Sequence, residues 1–164
     1  MNEVIGYLLD AETKVSERPH KQELRLWLRL LTCTNLIETL IRTRLRAQFG
    51  ATLPRFDLMA QLEKSPDGLT LGQLSRRMMV SNGNVTGLVE RLVAQGQVER
   101  TQHKQDRRAA TVRLTEAGRD SFAVMAREHE AWLAEAFAEL APGDAPDLMA
   151  ALARMKASVR KVVP

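Results

Sequence analysis

From Lys21 to about Gln48 the chain contains neither proline nor glycine, and apolar residues return at Leu24, Trp27, Leu28, Leu31, Ile37, Leu40, Ile41 and Leu45. Steps of three and four residues gather these positions on one side of a helix with 3.6 residues per turn. The pattern predicts one long amphipathic helix, and Leu30 and Leu36 widen its stripe beyond what one small domain would cover. Gly50 and Pro54 bracket a break. After it, Phe56, Met59, Ala60 and Leu62 predict a shorter helix that gives way to a loop through Ser65-Pro66-Asp67-Gly68.

The next stretch, LTLGQLSRRMMVSNGNVTGLVERLVAQGQ, predicts two compact helices. Thr70 stands three residues before Gln73, the spacing of a capping box, and Leu71, Leu74 and Met78 follow on one face. Ser81 is a second candidate cap, with Val85, Leu88, Val89 and Leu92 at i, i+3, i+4 and i+7 and Gly96 as the stop. A turn of about three residues near Met79-Val80 then joins two helices, as in a helix-turn-helix. Beyond Gly96 the period changes to two. Val98 and Arg100 begin an alternation that Ala110, Val112 and Leu114 resume after HKQDRRA, so two short strands with a polar loop form a wing. Thr115 caps a second long helix running to about Leu140, PGDAP breaks it, and a last helix covers Leu148 to Val162. The first 16 residues predict a short amphipathic helix without an assigned role.

The predicted fold class is therefore mainly α with a small β-wing: a winged helix-turn-helix carrying long N- and C-terminal helices. Expected segments are 1–52 (N-terminal helices, dimerisation), 53–116 (the winged helix-turn-helix) and 117–164 (C-terminal dimerisation helices). A chain of 164 residues can bury one substantial core. No apolar run reaches the length of a membrane span, and the N-terminus carries acids where a signal peptide would carry basic residues, so no membrane partner and a cytoplasmic location are expected. Cys33 is the only cysteine, which rules out an internal disulfide and a zinc site built on paired thiolates; no cofactor or metal is expected.

The net charge is +4, concentrated in residues 17–55 and 69–120 with weakly acidic stretches between them. Such placement suits a polyanion. With Val85, Leu88, Val89 and Leu92 turned inward, the second helix presents Gly83 and Gly87 outward, flanked by Thr86 and Glu90 on one edge and Asn84 and Arg91 on the other. A glycine inside a helix costs about 1 kcal/mol against alanine. Two on one exposed face suggest close approach: the backbone seats in a major groove while Asn82, Asn84 and Thr86 reach base edges. Glu90 counts against phosphate contact at its own position and is expected to pair with Arg91 or Arg100. On the wing, His103, Lys104, Arg107 and Arg108 are candidate phosphate or minor-groove contacts, and Asp106 is expected to hold an arginine in register.

These residues carry a resemblance. The helix-turn-helix from LGQLSRRMMVSNGN onward, followed by DRRAATVRLTEAG, resembles MarR-type transcriptional regulators, whose wing pattern is an Asp, any residue, an Arg, then a strand ending in Leu-Thr and a Gly; Asp106, Arg108, Val112, Leu114, Thr115 and Gly118 fall on it. The similarity runs from roughly Leu24 to Leu140. It implies a homodimer with interleaved terminal helices, bound to a pseudo-palindromic double-stranded operator, acting as a repressor relieved by a small molecule. Gly87 departs from it, since many members carry a basic residue there.

The resemblance also implies an effector, a small aromatic acid held between the long helices and the winged domain. Trp27, Leu31, Arg55 and Phe56 are candidates for an apolar pocket with a basic handle. Arg25 and Arg29, within a basic set that includes Lys21, Arg42, Arg44 and Arg46, would suit the phosphates of an aryl-CoA thioester. LRLWLRLLTCTNLIE with LPRFDLMAQL is similar to the branch answering hydroxycinnamoyl-CoA esters. Three rival classes remain. A thiol-based redox sensor would act through Cys33, but that residue sits mid-helix, the only tyrosine is Tyr7, and a buried, inert thiol is expected. An enzyme is not expected, because the acids and His20, His103 and His129 show no catalytic spacing and no phosphate-cradling loop is present. A winged helix used only for protein contacts would call for an apolar or acidic outward face.

Overall fold

The computed structural model describes residues 21–102 and 110–163. The elements in chain order are α1 (Lys21–Phe49), α2 (Leu53–Glu63), β1 (Leu69–Thr70), α3 (Leu71–Met78), α4 (Asn82–Ala94), β2 (Val98–Gln102), β3 (Ala110–Leu114), α5 (Glu116–Ala136) and α6 (Asp144–Val159). The chain divides into two compact units, Met1–His129 and Glu130–Pro164. The first unit holds all of α1, the winged helix and α5 as far as His129; the second holds the end of α5 and α6. The fold class is the expected one, mostly helical with a small antiparallel sheet.

In the first unit the core is built from Leu45 of α1, Leu58, Met59 and Leu62 of α2, Leu74 of α3, Val85, Val89 and Leu92 of α4, Val112 of β3 and Met125 of α5, all at or below 2% exposure. Each such side chain contributes about 1.5–3 kcal/mol on leaving water. Local chemistry starts and stops the helices that supply them. Thr52 accepts the Arg55 backbone N–H ahead of α2, with Pro54 in the first turn where its missing donor costs nothing. Thr70 and Gln73 close a reciprocal capping box at α3, and Ser81 accepts the Asn84 N–H at α4. The turn between α3 and α4 puts Met79 in the left-handed region at φ 55°, its side chain 93% exposed. The Val80 N–H bonds the Ser75 carbonyl, and the Ser75 hydroxyl returns a bond to the Val80 carbonyl, which holds this non-glycine residue in place.

The sheet has the order β1-β3-β2, with Leu69 opposite Val112 and Val98 opposite Leu114. Alternation in sequence located β2 and β3 but not β1, a strand of two residues and too short to show a period. Gly68 precedes it at φ +85°, packed so closely on β3 that a Cβ would lie 2.4 Å from the Thr111 methyl. The other differences lie at the C-terminal end. α5 stops at Ala136 rather than near Leu140, and α6 begins at Asp144 and ends at Val159 rather than spanning Leu148 to Val162. Pro146 does not delay α6, because first-turn amides need no partner within the helix; Asp144 and Asp147 sit at the positive end of its dipole.

Gly118 of α5 lies against the turn after α4, and a Cβ built there would sit 1.9 Å from the Gln97 carbonyl oxygen. Both atoms belong to backbone held by hydrogen bonds, so neither yields cheaply. Gly118→Ala is expected to lower stability by about 3 kcal/mol or more, read as a reduced urea midpoint.

Candidate nucleic-acid interface

The second helix of the pair, α4, buries Val85, Leu88, Val89 and Leu92 and exposes Asn82, Gly83, Asn84, Glu90 and Arg91, with Thr86 and Gly87 half-covered. The outward set therefore occupies the face that the apolar spacing assigns to it. Nothing in the described chain lies within 4 Å of a Cβ placed on Gly83 or Gly87, so close packing inside this chain is not what keeps either one a glycine. The Thr86 hydroxyl donates to the Asn82 carbonyl at 2.9 Å, leaving its methyl as the outward contact. Glu90 forms no ion pair with Arg91 or Arg100 among the described residues, contrary to expectation. The two arginines lie at positions that leave all three groups facing water.

A groove of about 540 Å³ flanks this face, with Gly83, Asn84, Gly87 and Arg91 on one wall and Arg42 and Pro54 on the other. Its shape depends on the missing glycine side chains, and its arginines give it a cationic rim. Arg42 is also held by Glu38 one turn back on α1. Sequence reasoning placed Arg42 only in a general basic set, because nothing in a linear pattern shows that α1 passes beside α4.

The wing candidates His103, Lys104, Asp106, Arg107 and Arg108 lie outside the described residues; β2 and β3 on either side of them pair from Val98↔Leu114 to Gln102↔Ala110. The anchors of the wing are therefore clear. β2 buries only Val98, whereas β3 buries Ala110, Val112 and Leu114.

The effector candidates are dispersed. Phe56 is a core residue, its ring 5.4 Å from Phe122 and 4.8 Å from His129. Trp27 is 58% exposed, Arg25 and Arg29 are exposed, and Leu31 is half-covered. None of the six lines the groove beside α4. Arg55 donates from Nη2 to Gln97 Oε1 at 2.7 Å, while its Nε is buried without a hydrogen-bond partner; burial lowers its pKa. On the same helix, burial raises the pKa of Asp57, opposed by His129 and reinforced by Glu38. Cys33 is exposed, which corrects the expected burial: the N-terminal half of α1 has no buried residue in this chain.

A helix-turn-helix with a capped, polar outer helix, followed by a two-stranded wing closed by a third short strand, defines a winged helix-turn-helix protein. The sequence model of the MarR family matches residues 51–110. A MarR family transcriptional regulator from Silicibacter pomeroyi is 33% identical, with 88% of this chain and 99% of that one aligned at a TM-score of 0.73. The chain belongs to the MarR family. The transcriptional activatory protein BadR of Rhodopseudomonas palustris is 31% identical over 105 residues, covering 63% of this chain but 59% of that protein. In fold, the chain is also similar to Streptococcus pneumoniae FabT solved in complex with DNA, at 22% identity and a TM-score of 0.71 over 86% of this chain and 99% of that one.

Because Gly87 is surrounded by open space, Gly87→Ala is expected to stabilise the folded chain by about 0.5–1 kcal/mol through helix propensity alone. A rise in urea midpoint at constant slope is the expected reading. A loss of stability would place an unseen contact at that position.

Proposed function

We propose that this protein is a ligand-responsive DNA-binding regulator that acts as a homodimer on a pseudo-palindromic operator. The outer face of α4 carries the reading: three short polar side chains, Asn82, Asn84 and Thr86, beside two glycines with open space above them. In a major groove about 12 Å wide, such a helix lets its backbone approach while asparagine pairs with adenine and the threonine methyl meets thymine. Arg107 and Arg108 then reach the neighbouring minor groove, with Asp106 orienting one of them, and His103 and Lys104 meet phosphate. Family membership supports this assignment, and the fold is similar to that of FabT solved in complex with DNA. A helix that served only protein contacts would not keep its outward face small, polar and partly cationic.

The homodimer is supported by large apolar side chains left 43–64% exposed: Leu24, Leu26, Trp27 and Leu36 on α1, and Leu148, Met149 and Leu152 on α6. We further propose that an aromatic acid or aryl-CoA thioester releases the DNA and that release relieves repression. BadR is by its name an activator, so the regulatory sign is tested in both directions. A thiol-based response through the exposed Cys33 is the second reading its position allows.

Operator selection from a randomised DNA pool, followed by fluorescence anisotropy at near-physiological salt against scrambled competitor, tests the core of the proposal. An enriched inverted repeat is expected, bound at least about a thousandfold tighter than scrambled DNA. Addition of p-coumaroyl-CoA, or of peroxide, separates the thioester and thiol responses, and a promoter-reporter fusion gives the sign. No enrichment would leave a protein-contact module. Arg108→Ala is expected to cost tenfold or more in operator affinity with an unchanged urea midpoint, and Gly87→Leu to abolish specific binding while the dimer, checked by light scattering, persists.

A further inference from the structure

Gln97 is the first residue after the glycine that ends α4, and four elements meet on it. Its backbone N–H closes the end of α4 on the Leu92 carbonyl at 2.9 Å. Its carbonyl accepts the Thr115 N–H at 3.1 Å from the start of α5, and Gly118 is packed against that same oxygen. Val98, the next residue, begins β2. Its side-chain amide accepts the Arg55 guanidinium from the first turn of α2 at 2.7 Å, the one long-range side-chain bond tying α2 to the end of α4 among those described.

The Arg55 contact is unlike an ordinary surface bond. The guanidinium is half-buried, its Nε is shielded from solvent without a partner, and burial disfavours its charge. Among the described residues no carboxylate compensates it. A cation kept in a poorly solvated place and matched only by a neutral amide costs more than a surface Arg-Gln pair, which argues for a role other than stabilisation. We infer that Arg55 is a positioning residue for DNA recognition: through Gln97 it fixes the angle at which α4 leaves the domain, and so sets operator specificity without touching DNA. This rests on the proposed reading of α4 as the recognition helix.

The backbone bonds of Gln97 hold the turn together whatever its side chain is. The Arg55 bond adds restraint on the tilt of α4 relative to α2, and a small tilt matters because base-edge contacts tolerate little displacement while phosphate contacts tolerate more. Loss of the bond should therefore weaken specific binding and spare non-specific binding. A general loss of structure would weaken both.

The test uses the selected operator and scrambled DNA with the parent protein, Gln97→Leu, Arg55→Met, the double variant and Gln97→Glu. Gln97→Leu removes the acceptor at similar size and leaves the backbone bonds; Gln97→Glu offers Arg55 a charge-assisted partner. Expected for either single truncation is a roughly tenfold loss of operator affinity, scrambled-DNA affinity within twofold of the parent and an unchanged salt slope. The double variant should be no worse than the single ones, as for two residues acting through one bond, and Gln97→Glu should match or exceed the parent. Parent-like operator affinity in both single variants would overturn the inference while leaving the regulator reading intact, as would equal losses on operator and scrambled DNA. Failure of the parent itself to prefer the operator would remove that reading and this inference together.

Discussion

The backbone around Gly96 and Gln97 ties the end of the outer helix to the start of the next long helix. Gly96 turns left-handed at φ +66°, its N–H bonding Val93 while the next N–H bonds Leu92, so the last turn of α4 is closed. Thr115 then bonds this turn twice, through its N–H to Gln97 and its hydroxyl to the Gly96 carbonyl at 2.7 Å, while the same hydroxyl oxygen caps α5 by accepting the Gly118 N–H. One threonine thus joins the end of the outer helix to the start of the next long helix. The absent side chain at Gly118 lets the two backbones come that close.

With its end fixed, α4 can afford an outer face that contributes nothing to its own stability. Leu88, Val89 and Leu92 anchor it, and Gly83 and Gly87 weaken it by intrinsic propensity on a side where a Cβ would touch nothing in the chain. The core contacts and the proposed recognition surface thus lie on different sides of the same helix.

The sequence made most of this arrangement legible wherever the determinant is local. Thr70-Gln73, Ser81 and Gly96 are short-range signals whose meaning does not depend on the rest of the chain, and the structure places each at the predicted end of its helix. β1 escaped notice because two residues have no period, and Arg55-Gln97 because its partners are 42 residues apart. Phe56 and Trp27 show the limit of pairing aromatics by sequence: one ring stacks in the core on Phe122, the other is more than half exposed. Cys33 is exposed for a related reason. Residue type favours burial, whereas the covering element decides it.

The exposed apolar residues of α1 and α6 carry a different kind of information. α6 has no buried residue, yet Leu148, Met149 and Leu152 share one side of it and Val159 follows two turns on. A helix of 16 residues is marginal alone in water, so in a working molecule its apolar side needs cover. The N-terminal half of α1 is in the same position, with Leu24, Leu26 and Trp27 at 47–58% exposure. Scattered exposed leucines need no explanation, but the stripe at helical spacing on α6 does, and Leu24 and Trp27 share one side of α1. The second copy of the chain proposed above would offer apolar surface of the same chemistry, and a twofold axis would present two α4 faces at once. Under the proposed homodimer, the apolar excess of α1 and α6 and the small polar face of α4 would answer to one requirement, a symmetric partner on a symmetric site.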